Sequence, residues 1–195
     1  MLAEIRNCDV GYGKPIIRGI EFHLDFGEIL NVYGENGVGK TTLLKAFLGI
    51  SILRGEIRVL SKNILDLAPI ERFRYISVAF AETIRTDITI GRYFELSPFP
   101  ILRELIEAFG LSEILNRTFR DISTGNNRKV QIVRALSSPA PVIALDEPFA
   151  HLDDNASKVL WEIIEDLRRR GKSFIITSHR FLGVGRPFKL PPTSQ

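Results

Sequence analysis

Cysteine and glutamine are scarce in this chain, and no long apolar run occurs. The single cysteine, Cys8, excludes a disulfide framework and fits a reducing compartment, where a buried thiol without a functional role is expected. No stretch approaches the ~20 apolar residues that span a bilayer, so a membrane crossing is not expected. The N-terminal MLAEIRNCDVGYGK carries acidic residues and no apolar core, unlike a signal peptide. Repeats and low-complexity segments are also missing. Charge is close to balanced, at +3 with a pI near 9.1, which suits a polyphosphate ligand or an anionic surface without demanding either. The densest basic cluster, Arg168, Arg169 and Arg170, closes a helical pattern in which Val159, Leu160, Ile163, Ile164 and Leu167 share a face. Cations there complement a helix C-terminus, so nucleic acid is not an expected partner. The 195 residues, 45% of them hydrophobic, predict one domain with subdomains.

What is present is a phosphate loop. Residues 34–42 read GENGVGKTT, matching G-x-x-x-x-G-K-S/T at Gly34, Gly39, Lys40 and Thr41, with a strand-like run before and an amphipathic run after. Around those positions lie Glu35, Asn36, Gly37, Val38 and Thr42. Glycines let successive backbone N–H groups turn toward a phosphate, and the helix that follows presents its positive end there. Lys40 is expected on the β- and γ-phosphates, and the Thr41 hydroxyl on Mg²⁺. A nucleoside triphosphate is the implied ligand.

Along the chain, residues 4–9, 16–24 and 28–33 alternate in the manner of antiparallel strands, punctuated by Gly11, Gly13 and Gly27. A helix is predicted over 41–48, a strand over 56–60, a short helix over 66–73 and a strand over 75–80. Residues 90–115 read as helical, broken by Pro98 and Pro100. The apolar run in PVIALDEP marks a strand buried on both faces of a parallel sheet, and SFIITSH a second strand after the helix that ends at Arg170.

Two carboxylates, Asp146 and Glu147, follow the first of these strands, where open α/β sheets bind their ligands. Asp146 is placed to hold Mg²⁺, and Glu147 to take a proton from the attacking water or orient it. His179 emerges from the second strand at the same sheet edge and is expected to contact the γ-phosphate.

GENGVGKTT, IALDEP, AHLD and TSH, in this order and approximate spacing over nearly the whole chain, resemble the ATP-binding cassette family. The resemblance implies an α/β fold: a P-loop core with a mainly parallel sheet, an antiparallel β subdomain, and a helical subdomain inserted at roughly residues 84–130. It places Tyr12 where the family stacks an aromatic on adenine. It places Ile122, Ser123, Thr124, Gly125 and Asn126 at the signature LSGGQ, of which Ser123 and Gly125 survive to grip the γ-phosphate of the opposite subunit. Cofactors are then ATP and Mg²⁺. The implied partners are transmembrane permease subunits carried on separate chains, and a nucleotide-dependent dimer with a second copy or another cassette. The implied location is the cytoplasmic face of a membrane. The segment 82–93 is the implied contact with the membrane chain, with Ile84, Ile88 or Tyr93 as anchors.

The chain departs from the family at several points. The strand over 75–80 should be followed by a glutamine, yet the only two are Gln131 and Gln195; Glu82 is the best substitute as a Mg²⁺ ligand. Ala150 replaces the Ser often found in AHLD, which together with the altered signature points to slow or tightly coupled turnover. Only RFLGVGRPFKLPPTSQ follows His179, as in a minimal cassette. The leading expectation is an ATPase that powers a transporter. Its alternatives are a soluble cassette ATPase and a nucleotide-dependent dimerisation switch. A cassette of the chromosome-maintenance type would carry a long coiled coil before the signature, and no sustained heptads occur there.

Overall fold

The computed structural model describes residues 1–191. In chain order the elements are β1 (Ala3–Tyr12), β2 (Lys14–Leu24), β3 (Ile29–Tyr33), α1 (Lys40–Ala46), β4 (Ile52–Val59), β5 (Lys62–Asn63), α2 (Pro69–Arg72) and β6 (Ile76–Ala79). There follow α3 (Ile90–Glu95), α4 (Arg103–Ala108), α5 (Thr124–Leu136), β7 (Val142–Leu145), α6 (Asp154–Arg169), β8 (Ser173–Ser178) and β9 (Arg186–Lys189). Short 3₁₀ turns occupy Ile64–Asp66 and Ser112–Ile114.

Two sheets result. One is antiparallel, ordered β2-β1-β4-β5; the other is parallel throughout, ordered β6-β7-β8-β3-β9. Residues 28–33, expected from their alternation among the antiparallel strands, instead form β3 inside the parallel sheet, with β8 on one side and β9 on the other. Its sequence, ILNVY, is buried along almost its whole length, as a strand covered on both faces must be.

Side-chain parity explains how the parallel sheet is covered. Leu30, Val32, Val142, Ala144 and Ile175 point into one core, shared with Leu43, Leu44 and Phe47 of and just after α1 and with the antiparallel sheet. Ile29, Ile143, Leu145, Phe174 and Ile176 point the other way, into a core closed by Phe94, Val130, Ile132, Leu160 and Ile164 from the later helices. Each fully buried Leu, Ile or Phe contributes about 1.5–3 kcal/mol relative to exposure, so both faces are strongly fixed. Cys8 sits in the first core with no exposure, its Sγ donating to the carbonyls of Arg6 and Glu56; burial pushes the thiol up to about 11.

The tail after His179 adds an element that short polar and Pro-flanked sequence does not advertise. Chain 186–189 returns beside β3 as β9, and Gly185 makes the approach possible. It holds φ 76, and a Cβ there would lie 2.4 Å from the carbonyl oxygen of Ile29. Gly183 has the same φ but open space around it. Gly183→Ala is therefore expected to cost about 1 kcal/mol, from backbone strain alone, and Gly185→Ala at least about 2 kcal/mol more, from displacement of β9. Urea unfolding of the two variants side by side measures the difference; equal costs would show that β9 does not pack this way.

Candidate functional site

The carboxyl ends of β3, β7 and β8 bring the phosphate loop, the acidic pair and His179 to one edge of the parallel sheet. Loop 34–39 leaves β3 and enters α1 through Gly39, which is left-handed at φ 102 and crowded by Ile17, where a Cβ would sit 2.9 Å from Cδ1. Lys40 is 5% exposed, and its ammonium donates to the carbonyls of Gly34 at 2.8 Å and Glu35 at 2.9 Å. The same Nζ stands 3.2 Å from Oε1 of Glu147. Val38 is buried beneath the loop, while Glu35, Asn36 and Gly37 are exposed along its crest.

Asp146 has no exposure at all. Thr41 Oγ1 donates to its Oδ2 at 2.7 Å, Thr177 Oγ1 to its Oδ1 at 2.7 Å, and the Ala81 amide to Oδ2 at 3.3 Å. Glu147, next in the chain, is left-handed at φ 48 and 22% exposed, and His179 Nε2 lies 3.3 Å from its Oε2. Its carboxylate thus sits between a buried ammonium and an imidazole. After Pro148 the chain is pinned by Phe149, whose ring stacks on Trp161 of α6 with centroids 4.8 Å apart.

Three further side chains complete the site without having stood out in the sequence. Arg128 of α5 is 4% exposed and donates to the carbonyls of Asp146 and Phe80. Burial pushes it down to about 10, against the pull of Asp146 and Glu147, so it remains a cation beneath the acidic pair at neutral pH. Its only signal was a charge on the buried face of a helix. Asn31, fully buried in β3, donates to Ser178 Oγ at 2.8 Å and Ile176 O at 3.0 Å, and accepts from Leu182 N at 2.8 Å. It braces the loop that carries His179, and a polar residue in the apolar ILNVY was its signal. Thr177 had none, since threonine is ordinary in a strand.

Other expected residues lie outside this cluster. Tyr12 is half exposed at the end of β1 and reaches Lys45, whose ammonium also holds the exposed Glu82 carboxylate at 2.8 Å. The bond to Glu82 raises the Lys45 pKa, with smaller contributions from Tyr12. Glu82 follows Ala81, whose amide reaches Asp146, while its own carboxylate is paired with Lys45. Ser123 caps α5 by accepting from Asn126 N at 3.2 Å, and Gly125 packs where a Cβ would lie 3.0 Å from His151 O. Among the described residues, neither bonds to loop 34–42 of its own chain. Thr42 is buried, its carbonyl accepting from Ser51 Oγ at 2.6 Å. Of the three expected anchors, Tyr93 is committed internally, edge-on to Phe119 at 5.0 Å and under Arg134, while Ile88 remains exposed. Ile84 is tied by its backbone to Asn127, which donates to its carbonyl and accepts from its amide.

The donor set fits a magnesium nucleotide. Hard oxygens from Thr41 and Asp146 meet within hydrogen-bond distance, and among the described residues no group of three His, Cys, Asp or Glu could hold a metal without help. Mg²⁺ commonly takes one or two protein oxygens and completes its shell with phosphates and water.

This loop, acidic pair and histidine on a parallel sheet define a P-loop ATPase. The family model for ABC transporter matches residues 17–150, and the chain belongs to that family. It is 26% identical over 200 residues to the manganese transport system ATP-binding protein MntB of Halalkalibacterium halodurans, covering 96% of this chain and 80% of that one. It is 31% identical over 188 residues to the Nod factor export ATP-binding protein I of Rhizobium meliloti, covering 90% of this chain but only 56% of that relative's length. Among solved structures, the ATP-binding subunit of an ABC transporter superposes with TM-score 0.83 at 25% identity, over 92% of this chain and 80% of that one. A post-hydrolysis cassette dimer with ADP and Pi shares the fold, with TM-score 0.83 at 20% identity over 97% of this chain and 94% of that one. The chain is thus an ABC-type ATPase that binds ATP with Mg²⁺.

Lys40→Ala removes the buried ammonium aimed into the loop. A charge-assisted bond of about 1.5–3 kcal/mol predicts a 10- to 100-fold weaker affinity for Mg²⁺-ATP by calorimetry. Unchanged affinity would remove Lys40 from the phosphate site.

Proposed function

We propose that this chain hydrolyses ATP as one half of a head-to-tail cassette pair and thereby drives a transporter whose membrane-spanning subunits are separate chains, at the cytoplasmic face of the membrane. One observation carries the catalytic part. Glu147 is held with its carboxylate between Lys40 Nζ and His179 Nε2, one residue beyond the Asp146 that bonds Thr41.

In this reading Lys40 binds the β- and γ-phosphates, and Thr41 with Asp146 holds Mg²⁺. Bound there, the metal offsets charge on the phosphate oxygens. Glu147 orients the attacking water and takes its proton as the new P–O bond forms and the bond to ADP breaks. His179, its Nε2 carrying the proton, donates to the other carboxylate oxygen and keeps Glu147 turned toward the site. Arg128, a cation below the pair, donates to the carbonyl of Asp146 and fixes the chain at the acidic pair. Tyr12, half exposed, offers a ring face to the adenine.

Ser123 and Gly125 have no partner in their own phosphate loop, which supports a site completed from across a dimer interface, by a second copy or another cassette. The helices between β6 and β7 span at most 13 residues, which argues against the coiled-coil class of soluble cassettes. No helix among the described residues is long and apolar enough to cross a membrane. Segment 82–93, with Ile88 exposed, is the proposed contact for them.

Glu147→Gln keeps the shape but removes the proton acceptor. It is expected to bind ATP, lose at least 100-fold in turnover, and sediment as a dimer with Mg²⁺-ATP. Turnover at the parental rate would remove Glu147 as the base. Crosslinks from residue 88 should reach a membrane-embedded chain in detergent extracts, and crosslinks confined to this chain would count against the transporter reading.

A further inference from the structure

We propose that Thr177 is a positioning residue for hydrolysis: its hydroxyl locks Glu147 into the left-handed conformation that carries the carboxylate to Lys40 and His179. The inference rests on Glu147 being the base.

Thr177 is the fifth residue of β8, between Val32 of β3 on one side and the end of β7 on the other. Its parity is that of Ile175, so its side chain faces the core beneath α1, where Asp146 and Thr41 also meet. The residue has no exposure. Its Oγ1 makes two hydrogen bonds to consecutive residues: it donates to Asp146 Oδ1 at 2.7 Å and accepts from the Glu147 amide at 2.9 Å.

The direction of this chain is dictated by proton supply. An ionised carboxylate only accepts, so the single hydroxyl proton points to Asp146; that leaves a lone pair facing the Glu147 N–H. The N–H to O–H to carboxylate sequence is polarised in one sense, and each bond strengthens the other. The Glu147 amide in turn has a reason to stay where it is. A non-glycine residue at φ 48 holds strained backbone, and a buried amide that lost its acceptor would add the cost of an unmet donor. Holding the amide therefore selects the left-handed conformer over the extended one, and with it the side-chain direction. A valine at 177 fills the same space and can do neither job.

The consequence is a mechanical tie between metal ligand and base. Thr41 and Thr177 donate to different oxygens of Asp146, and only Thr177 continues the tie to Glu147. Lys40 and His179 contact the Glu147 carboxylate, whereas Thr177 holds its backbone. A structural core residue would not distinguish ATP binding from ATP turnover. A residue that aims the base must.

The test compares Thr177→Val, Thr177→Ala and Thr177→Ser with the parent and with Glu147→Gln. For the Val and Ala variants the expected result is ATP affinity within about threefold of the parent and kcat down 10- to 100-fold, since small misplacements of a catalytic group cost this much. Thr177→Ser, which keeps the hydroxyl, should hold kcat within about threefold. Hydrogen exchange reads the bond without activity: protection of the Glu147 amide should fall at least tenfold in Val and Ala, persist in Ser, and leave the amides of 38–42 unchanged. If Val does not fold, Ala against Ser carries the same comparison. Parental kcat with a protected Glu147 amide in Val or Ala overturns the proposal. So does equal loss of affinity and turnover, which would make Thr177 a general support of the nucleotide site. If Glu147→Gln itself turns over normally, the reading of Glu147 fails and takes this role with it; if Glu147→Gln is dead and Thr177→Val is not, only the role of Thr177 falls.

Discussion

A carboxylate with no exposure to water is costly unless its charge is met, and Asp146 is such a group. It accepts from Thr41 at the start of α1, Thr177 at the end of β8 and the Ala81 amide just past β6, while Arg128 of α5 holds the carbonyl of the same residue. Four elements therefore converge on one residue at the end of β7. Their order in the sheet and the parity of their side chains are what make the convergence possible, because β7 lies between β6 and β8. The two cores drive the collapse, and this polar junction fixes where the loop ends land.

Around that junction the charges are arranged in alternation. The Arg128 guanidinium lies under the acidic pair, the Lys40 ammonium and the His179 imidazole flank Glu147, and the loop carbonyls of Gly34 and Glu35 accept from Lys40. Two left-handed residues lie at the same place, Gly39 and Glu147, and only the second carries a side chain that makes the conformation costly. Strained backbone at a site is maintained only when its surroundings over-determine it; here Ile17 crowds one residue and Thr177 holds the other.

Much of this was legible in the sequence because it is written locally. Gly34, Gly39, Lys40 and Thr41 have fixed spacing, and Asp146 and Glu147 follow an apolar run that only a doubly covered strand explains. His179 was readable for the same reason. Parallel pairing of β3 was not, since alternation within five residues does not reveal a partner more than 140 residues away. Strand β9 was hidden by its short, charged and Pro-containing sequence, which pairs at an edge where such residues are tolerated. Asn31, Arg128 and Thr177 gain their meaning only from neighbours brought by the fold. Glu82 was expected as a metal ligand from its place in the chain, and in the fold its carboxylate pairs with Lys45.

On the proposed reading, Asp146 with Thr41 forms the Mg²⁺ side of the ATP site. Its most direct test is ATP affinity measured with and without Mg²⁺ for the parent and for Asp146→Asn, which keeps the size of the side chain and removes its charge. Mg²⁺ is expected to tighten ATP binding in the parent, and Asp146→Asn to lose most of this Mg²⁺ dependence while still binding the nucleotide. An Asp146→Asn protein that is folded and keeps the full Mg²⁺ dependence of the parent would contradict it.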